Sequence, residues 1–351
     1  MHEISLCMIV KNEEDNLALS LERVAQVIKD IVVVDTGSKD RTKEIARKFT
    51  EKVYDFPWCN DFSKSRNFAS SKADNDWILV LDADEVLVYY DWDNIVSFIA
   101  GNATRLGTIE VVSEFESDST ITRSTEVISR LFNRKFFHYT GTIHEQLVRY
   151  DAKDASRAAT SVKVEHSGYS KAALAKKDKI KRNVSLLEAA LQGNPEDPYL
   201  HYQLGKIYFT AKRFVESCEE YYIAISLRPN HSYSYVENLV ISYGYALLKC
   251  ERYKDALVLL DYYNDFNCSA DYLFITALIL MNNSQFQDAV EQFSKCLGCE
   301  KARLEGVNTY LPLYNMGVIH ECLGYMTIAK EYYRRCGDYQ LARQRLKVLS
   351  D

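Results

Sequence analysis

The feature that most constrains this chain is a change of pattern part-way along it. Near the start, short apolar runs (ISLCMIV, IVVVD, WILVLDADE) alternate with amphipathic stretches (NLALSLERVAQVIKD, KDRTKEIARKF). Beyond Pro198 nearly every segment has helical periodicity. Strands alternating with helices demand crossover connections, so the first half predicts an α/β domain with a mostly parallel sheet and helices on both faces. The second half predicts an all-α array. In an open parallel sheet ligands bind outside the carboxyl ends of the strands, where loops converge. Asp35 and the pair Asp82 and Asp84 stand at such ends.

After Asp91 the segments TIEVVSEFES, EVISRLFN and SVKVEH read as antiparallel additions to the sheet, and a long helix then leads out. The run Asn194-Pro195-Glu196-Asp197-Pro198 breaks the chain. The expected division is an α/β domain over residues 1–170, a connecting helix and linker over 171–196, and a helical domain of about four helix pairs over 197–351.

That helical domain repeats itself. Gly205, Gly244, Ala277 and Gly317 each precede, by twelve residues, Ser217, Ala256, Ala289 and Ala329. Tyr221, Leu260, Phe293 and Tyr333 follow, then Ala224, Tyr263, Cys296 and Cys336. Small residues at such positions let paired helices approach closely, and stacked pairs bury a continuous core while leaving a concave face free. The unit from Tyr199 to Pro229 matches the tetratricopeptide pattern at Leu204, Gly205, Tyr208, Ala224 and Pro229. The repeat spacings of 39, 33 and 40 residues depart from the usual length of about 34, which calls for longer connections.

Composition narrows the partners. A formal net charge of −6 without a basic stripe argues against nucleic acid. Nine cysteines, mostly inside apolar helical patterns, fit buried thiols in a reducing, cytoplasmic setting. Cys296 and Cys299 form an isolated C-x2-C without a second ligand pair. The N-terminal residues lack a signal-peptide pattern, and the longest apolar stretch, Tyr272 to Met281, is too short to span a bilayer. The 25 tyrosines permit a homodimer interface, a groove for a bound partner or ordinary helix packing.

Three motifs carry chemistry. Leu81-Asp82-Ala83-Asp84-Glu85 follows an apolar run, and carboxylates two apart in an extended segment point to one side, where they can hold a divalent cation; a solvated turn gives the same letters. Such a cation neutralises charge on a departing nucleoside diphosphate. Val32-Val33-Val34-Asp35-Thr36-Gly37-Ser38 is a buried strand ending in an acid able to accept from a base N–H, or a helix-capping turn. In Asp61-Phe62-Ser63-Lys64-Ser65-Arg66-Asn67, Arg66 suits a nucleotide or a surface acid.

In order and spacing, IVKNEE, VVVDTGSKDRT, DFSKSRNFA and LDADE resemble the nucleotide-binding half of family-2 glycosyltransferases of the GT-A fold. The resemblance implies that Asp35 and Arg66 hold the uracil of a UDP-sugar, that Asn12 and Glu13 line the same pocket, that Asp82 faces the ribose or a metal-bound water, and that Asp84 ligates Mn2+ or Mg2+.

Downstream, Gly141-Thr142-Ile143-His144-Glu145 and His166-Ser167-Gly168-Tyr169 resemble the G-x-x-H-E and H-x-G-Y signatures of glycosyltransferases fused to tetratricopeptide repeats, a group that includes enzymes acting on bacteriocin peptides, flagellin and lipopolysaccharide. Inverting transfer needs a general base, and Glu145 is the candidate. His166 is a candidate last metal ligand, though a lone strand-end histidine is also commonly structural; His144 is a second candidate, or a support for Glu145. The expected function is metal-dependent hexosyl transfer, of glucose or N-acetylglucosamine, from a UDP-sugar to a Cys, Ser or Thr of a peptide or protein. The alternatives are a saccharide acceptor and a non-catalytic scaffold.

Overall fold

The computed structural model describes residues 4–117, 120–166 and 173–349. Ser167, Gly168 and Tyr169 of the H-x-G-Y signature, and the first two residues of the expected connecting helix, lie outside the described residues. The chain forms two compact units, Met1–Lys176 and Lys177–Asp351.

The first unit runs β1 (Ile4–Val10), α1 (Leu17–Val24), β2 (Asp30–Asp35), α2 (Thr42–Ala46), β3 (Val53–Asp55), α3 (Phe62–Ser71), β4 (Trp77–Val80), β5 (Glu85–Tyr90), α4 (Trp92–Gly101), β6 (Leu106–Ser117), β7 (Thr120–Asn133), β8 (Phe137–Thr140), β9 (Gln146–Arg149) and β10 (Arg157–His166). Eight strands form one sheet in the order β3-β2-β1-β4-β7-β6-β10-β5, and β8 pairs with β9 separately. The expected mostly parallel sheet is present: β3, β2, β1 and β4 are mutually parallel, as are β6 and β10. Alternation along the central strands divides the core. Leu6, Met8 and Val33 pack under Leu17 and Leu21 of α1 and Phe98 of α4. Cys7, Val32 and Val34 face the other way, against Ala69 of α3.

One expectation needs correction. SVKVEH, in β10, was expected as an antiparallel addition, but it runs parallel to β6 and antiparallel only to β5. The β8–β9 hairpin intervenes after β7, so the chain re-enters the sheet beyond β6 and in the same direction as it.

The second unit is the expected helical array: α5 (Ala173–Gly193), α6 (Pro198–Thr210), α7 (Phe214–Ser226), α8 (Ser234–Lys249), α9 (Tyr253–Ala256), α10 (Tyr263–Phe266), α11 (Ala270–Asn282), α12 (Phe286–Cys296), α13 (Tyr310–Cys322), α14 (Met326–Arg335) and α15 (Gln340–Val348). Asp197 caps α6 through the Tyr199 and Leu200 amides, with Pro198 in the first turn, so the break seen in sequence is a helix start. The aligned residues Ser217, Ala256, Ala289 and Ala329 are all fully buried. The second repeat departs from the others, since its second helix is broken into α9, a 3-10 segment over Leu257–Tyr262, and α10. No described helix is long and apolar enough to cross a membrane. All nine cysteines are free thiols.

The glycines of the first and last repeats are there for close approach. A Cβ on Gly205 would sit 2.5 Å from the buried Tyr221 ring, and one on Gly317 2.6 Å from Tyr333. Gly205→Ala is therefore expected to cost about 1–3 kcal/mol through overpacking. Gly101→Ala, at a position with open space around it, is expected to stay within about 0.5 kcal/mol of the parent. Urea unfolding of the two variants checks the contrast.

Candidate active site

Two loops at the carboxyl ends of β1 and β2 are stitched together. Asn12 takes the left-handed conformation (φ 57°) that asparagine tolerates. Its amide donates to Ser38 Oγ (2.9 Å) and its Oδ1 accepts from the Lys39 amide (2.8 Å). The Glu13 amide donates to Thr42 Oγ1 (2.7 Å), and the Glu13 carboxylate accepts from Asn16 Nδ2 (2.9 Å). Asp35, at the end of β2, is 1 % exposed. Its Oδ1 accepts from the amides of Gly37 and Ser38, each at 2.9 Å, in a tight turn that Gly37 makes at φ 109°. Its Oδ2 is buried with no hydrogen-bond partner among the described residues.

Helix α3 builds the floor of a second cluster. Asp61 caps it through the Lys64 amide and Ser63 Oγ, and the Phe62 amide donates to the Thr142 carbonyl at 2.9 Å. One turn on, Asn67 clasps the Tyr139 backbone, Nδ2 donating to its carbonyl (2.8 Å) and Oδ1 accepting from its amide (2.9 Å). These bonds hang the Gly141–Glu145 loop against α3, where His144 turns the backbone at φ 50°. The same helix buries Arg66.

Arg66 spans two of the expected site residues. Its Nε ion-pairs with Glu145 Oε1, and its Nη2 lies 2.9 Å from Asp82 Oδ1. The other Asp82 oxygen lies 2.8 Å from Arg130 Nη2, which also reaches Glu85 Oε1 at 3.2 Å. Glu85 Oε2 in turn accepts from the Asp82 amide at 2.8 Å. Three carboxylates thus surround two guanidiniums. Burial works to raise the Asp82 carboxyl, but Arg130 and Arg66 overcome it and hold it well below the usual carboxylate range. Glu85, almost wholly enclosed, is pushed up by burial despite Arg130. Arg66 Nη1 and the Tyr139 hydroxyl are buried without partners among the described residues, and burial pushes Tyr139 up to about 12.

Asp84 points elsewhere. His166 Nε2, at the end of β10, stands 3.1 Å from Asp84 Oδ2, because β10 pairs with β5 in a register that sets His166 against Glu85. The Asp84 hydrogen bond raises His166 above its ordinary value, against the opposing effect of burial. Among the described residues no three His, Cys, Asp or Glu side chains gather as a ready-made metal cage. A carboxylate with an imidazole beside it can hold a divalent cation whose remaining positions go to phosphate oxygens and water, Asp84 serving either Mg2+ or Mn2+ and the imidazole suiting the transition metal better. With both oxygens taken by arginines, Asp82 fits an indirect role better than direct ligation.

Arg130 and Glu85 joined the site without having been singled out in the sequence. Thr108 pairs with Ser129 while its neighbour Gly107 pairs with Leu131, so Arg130 is the extra residue of a β-bulge in β7. The one trace in the sequence is a broken alternation in EVISRLFN, with Ile128 and Leu131, three apart, packing on one face of the sheet.

Residues 5–157 match the model of glycosyl transferase family 2, and the first unit is a domain of that family. A TPR repeat-containing protein of Synechococcus elongatus is 33% identical over 58% of this chain and 52% of its own length. The SPbeta prophage-derived glycosyltransferase SunS of Bacillus subtilis is 28% identical over 58% of this chain and 48% of its own. An uncharacterized glycosyltransferase of Rickettsia typhi is 33% identical over 41% of this chain and 51% of its own. The chain thus spans about half the length of these curated relatives. Among solved structures, the TPR protein YrrB is similar at 20% identity and a TM-score of 0.42, covering 50% of this chain and 87% of its own. The repeat architecture of the second unit rests on the helix pairs and their glycine contacts rather than on that likeness.

Proposed function

We propose that the chain is an inverting hexosyltransferase that takes glucose or N-acetylglucosamine from a UDP-sugar and passes it to a Cys, Ser or Thr side chain of a peptide or protein. The observation that carries the donor half is Asp35, a buried carboxylate at a strand's carboxyl end with one oxygen satisfied by its own turn and the other left over. A uracil ring N–H supplies the missing donor, and a buried acceptor left unmet costs about 1–3 kcal/mol. Asn12 and Glu13 shape the loop beside it. Asp84, with His166, would hold Mn2+ or Mg2+, which neutralises charge on the departing diphosphate. Asp82, clamped by Arg66 and Arg130, offers a fixed negative edge to the ribose or to a metal-bound water.

In the transfer step the acceptor oxygen or sulfur bonds to the anomeric carbon as the bond to UDP breaks, and the acceptor proton passes to Glu145. Arg66 orients that carboxylate, and His144 shapes its loop. The repeat unit, whose stacked pairs suit an extended polypeptide, supports the acceptor class, and the relative named as a prophage-derived glycosyltransferase supports glycosyl transfer. The nucleotide reading is tested by titrating UDP and CDP in parallel, since cytosine has no ring N–H and presents an acceptor nitrogen where uracil has its N3–H. A site built on Asp35 Oδ2 binds UDP about tenfold the tighter, and Asp35→Ala removes most of that preference. Equal binding of the two nucleotides by the parent would contradict the reading.

A further inference from the structure

We infer that Arg130 is a positioning residue for the donor site: the bulge in β7 exists to aim it at the first aspartate of the D-x-D motif, and nucleotide binding depends on it. The inference rests on the donor-site reading above and extends it to a residue on a strand that none of the recognised motifs contains. A β-bulge leaves one residue out of the ladder, kinks the strand and re-aims a side chain, and such bulges concentrate beside active sites. Here the extra residue is Arg130. Next to it Leu131 pairs with Gly107, where a Cβ would lie 2.6 Å from Thr160 Cγ2 and 2.9 Å from Leu131 Cβ. The close approach of β6, β7 and β10 beside the bulge thus requires a residue without a side chain.

The contacts of Arg130 show what the bulge accomplishes. The guanidinium binds Asp82 Oδ2 at 2.8 Å and Glu85 Oε1 at 3.2 Å, while Glu85 Oε2 takes the Asp82 amide at 2.8 Å. With Arg66 on the other oxygen, the Asp82 carboxylate is held at both oxygens and at its backbone and has one orientation left. The Asp82 side chain is nevertheless 35 % exposed, whereas that of Arg130 is 12 % exposed and that of Glu85 3 %. Arg130 and Glu85 form the buried base of the arrangement and Asp82 its open end. A ligand therefore meets Asp82 and reads, through it, the position that Arg130 imposes.

The test uses the whole 351-residue chain, with UDP and Mn2+ as the probe. Arg130→Met alone strands Glu85, so it is paired with Arg130→Met/Glu85→Gln, which removes the unmatched buried charge, and with Arg130→Lys, which keeps the charge and loses the fork. UDP affinity by calorimetry and thermal midpoint are read for each, at a temperature where circular dichroism shows the variant folded. A loss of UDP affinity of about tenfold or more is expected in every folded variant, whatever its midpoint, the loss that goes with one ill-aimed hydrogen bond to a charged group. A purely structural role lowers the midpoint and leaves the folded protein's UDP affinity at the parent value, and that result in any of the three overturns the inference. Absence of UDP binding by the parent is a different failure: it removes the donor-site reading itself, and this inference with it.

Discussion

Glu145→Gln is expected to lower kcat for glycosyl transfer by about 10²–10⁴, the range contributed by a positioned general base, while the KM for the donor changes far less. The amide keeps the shape of the side chain and its place in the loop hung from α3 by the Phe62–Thr142 and Asn67–Tyr139 hydrogen bonds. What it loses is the ability to take the proposed acceptor proton, together with the charge that pairs with Arg66, so kcat is read on protein shown folded by circular dichroism. Glu145 is largely enclosed, its side chain 11 % exposed, and it is tied to Arg66. If Glu145 is the base proposed above, the acceptor reaches it along a defined approach, as proton transfer at hydrogen-bond range requires. Steady-state kinetics with donor and acceptor varied separately check this, and a Gln variant that keeps kcat within a few-fold of the parent would move the base elsewhere.

Arg66→Met is expected to destabilise the first unit by about 3–5 kcal/mol, the penalty for removing one partner of a buried ion pair. Arg66 answers Glu145 directly and shares Asp82 with Arg130, so its loss leaves three carboxylates around one guanidinium. Acid unfolding gives the second readout. The folded-state value of Asp82 is depressed below its unfolded one, in spite of burial, by Arg130 and Arg66. Its contribution is therefore present above the unfolded carboxyl value and is lost as pH falls through the folded one. Without Arg66 the folded value rises towards the unfolded one, so the acid-unfolding midpoint moves to higher pH. Urea unfolding at neutral pH and an acid titration followed by circular dichroism measure the two effects, and a variant as stable as the parent in both would contradict the account of the cluster.

Much of this architecture is legible from local pattern. The strands holding Val10, Asp35 and Val80 are continuous buried apolar runs between amphipathic stretches, and such runs have few other ways to fold. The repeats show because Ser217, Ala256, Ala289 and Ala329 must be small wherever two helices touch. What escaped was non-local. Arg66 meets Glu145 across 79 residues and Arg130 meets Asp82 across 48, so no window on the chain contains either pair. The bulge at Arg130 interrupts the period of two that marks a strand, so the residue carries no strand-face signature. The direction of β10 depended on where the β8–β9 hairpin returns the chain. In the second repeat, a helix broken by a 3-10 segment keeps the same apolar residues as a continuous one, with Leu260 and Tyr263 half-buried.

Whether the first unit holds a nucleoside diphosphate with a divalent cation at Asp84, as proposed, is decided by calorimetric titration of UDP with and without Mn2+ on the parent and on Asp84→Ala. The expected result is binding by the parent that tightens at least tenfold when Mn2+ is present, and an Asp84→Ala variant, folded by circular dichroism, that has lost the metal-dependent part. UDP binding that ignores Mn2+, or an Asp84→Ala variant that responds to the metal as the parent does, would contradict it.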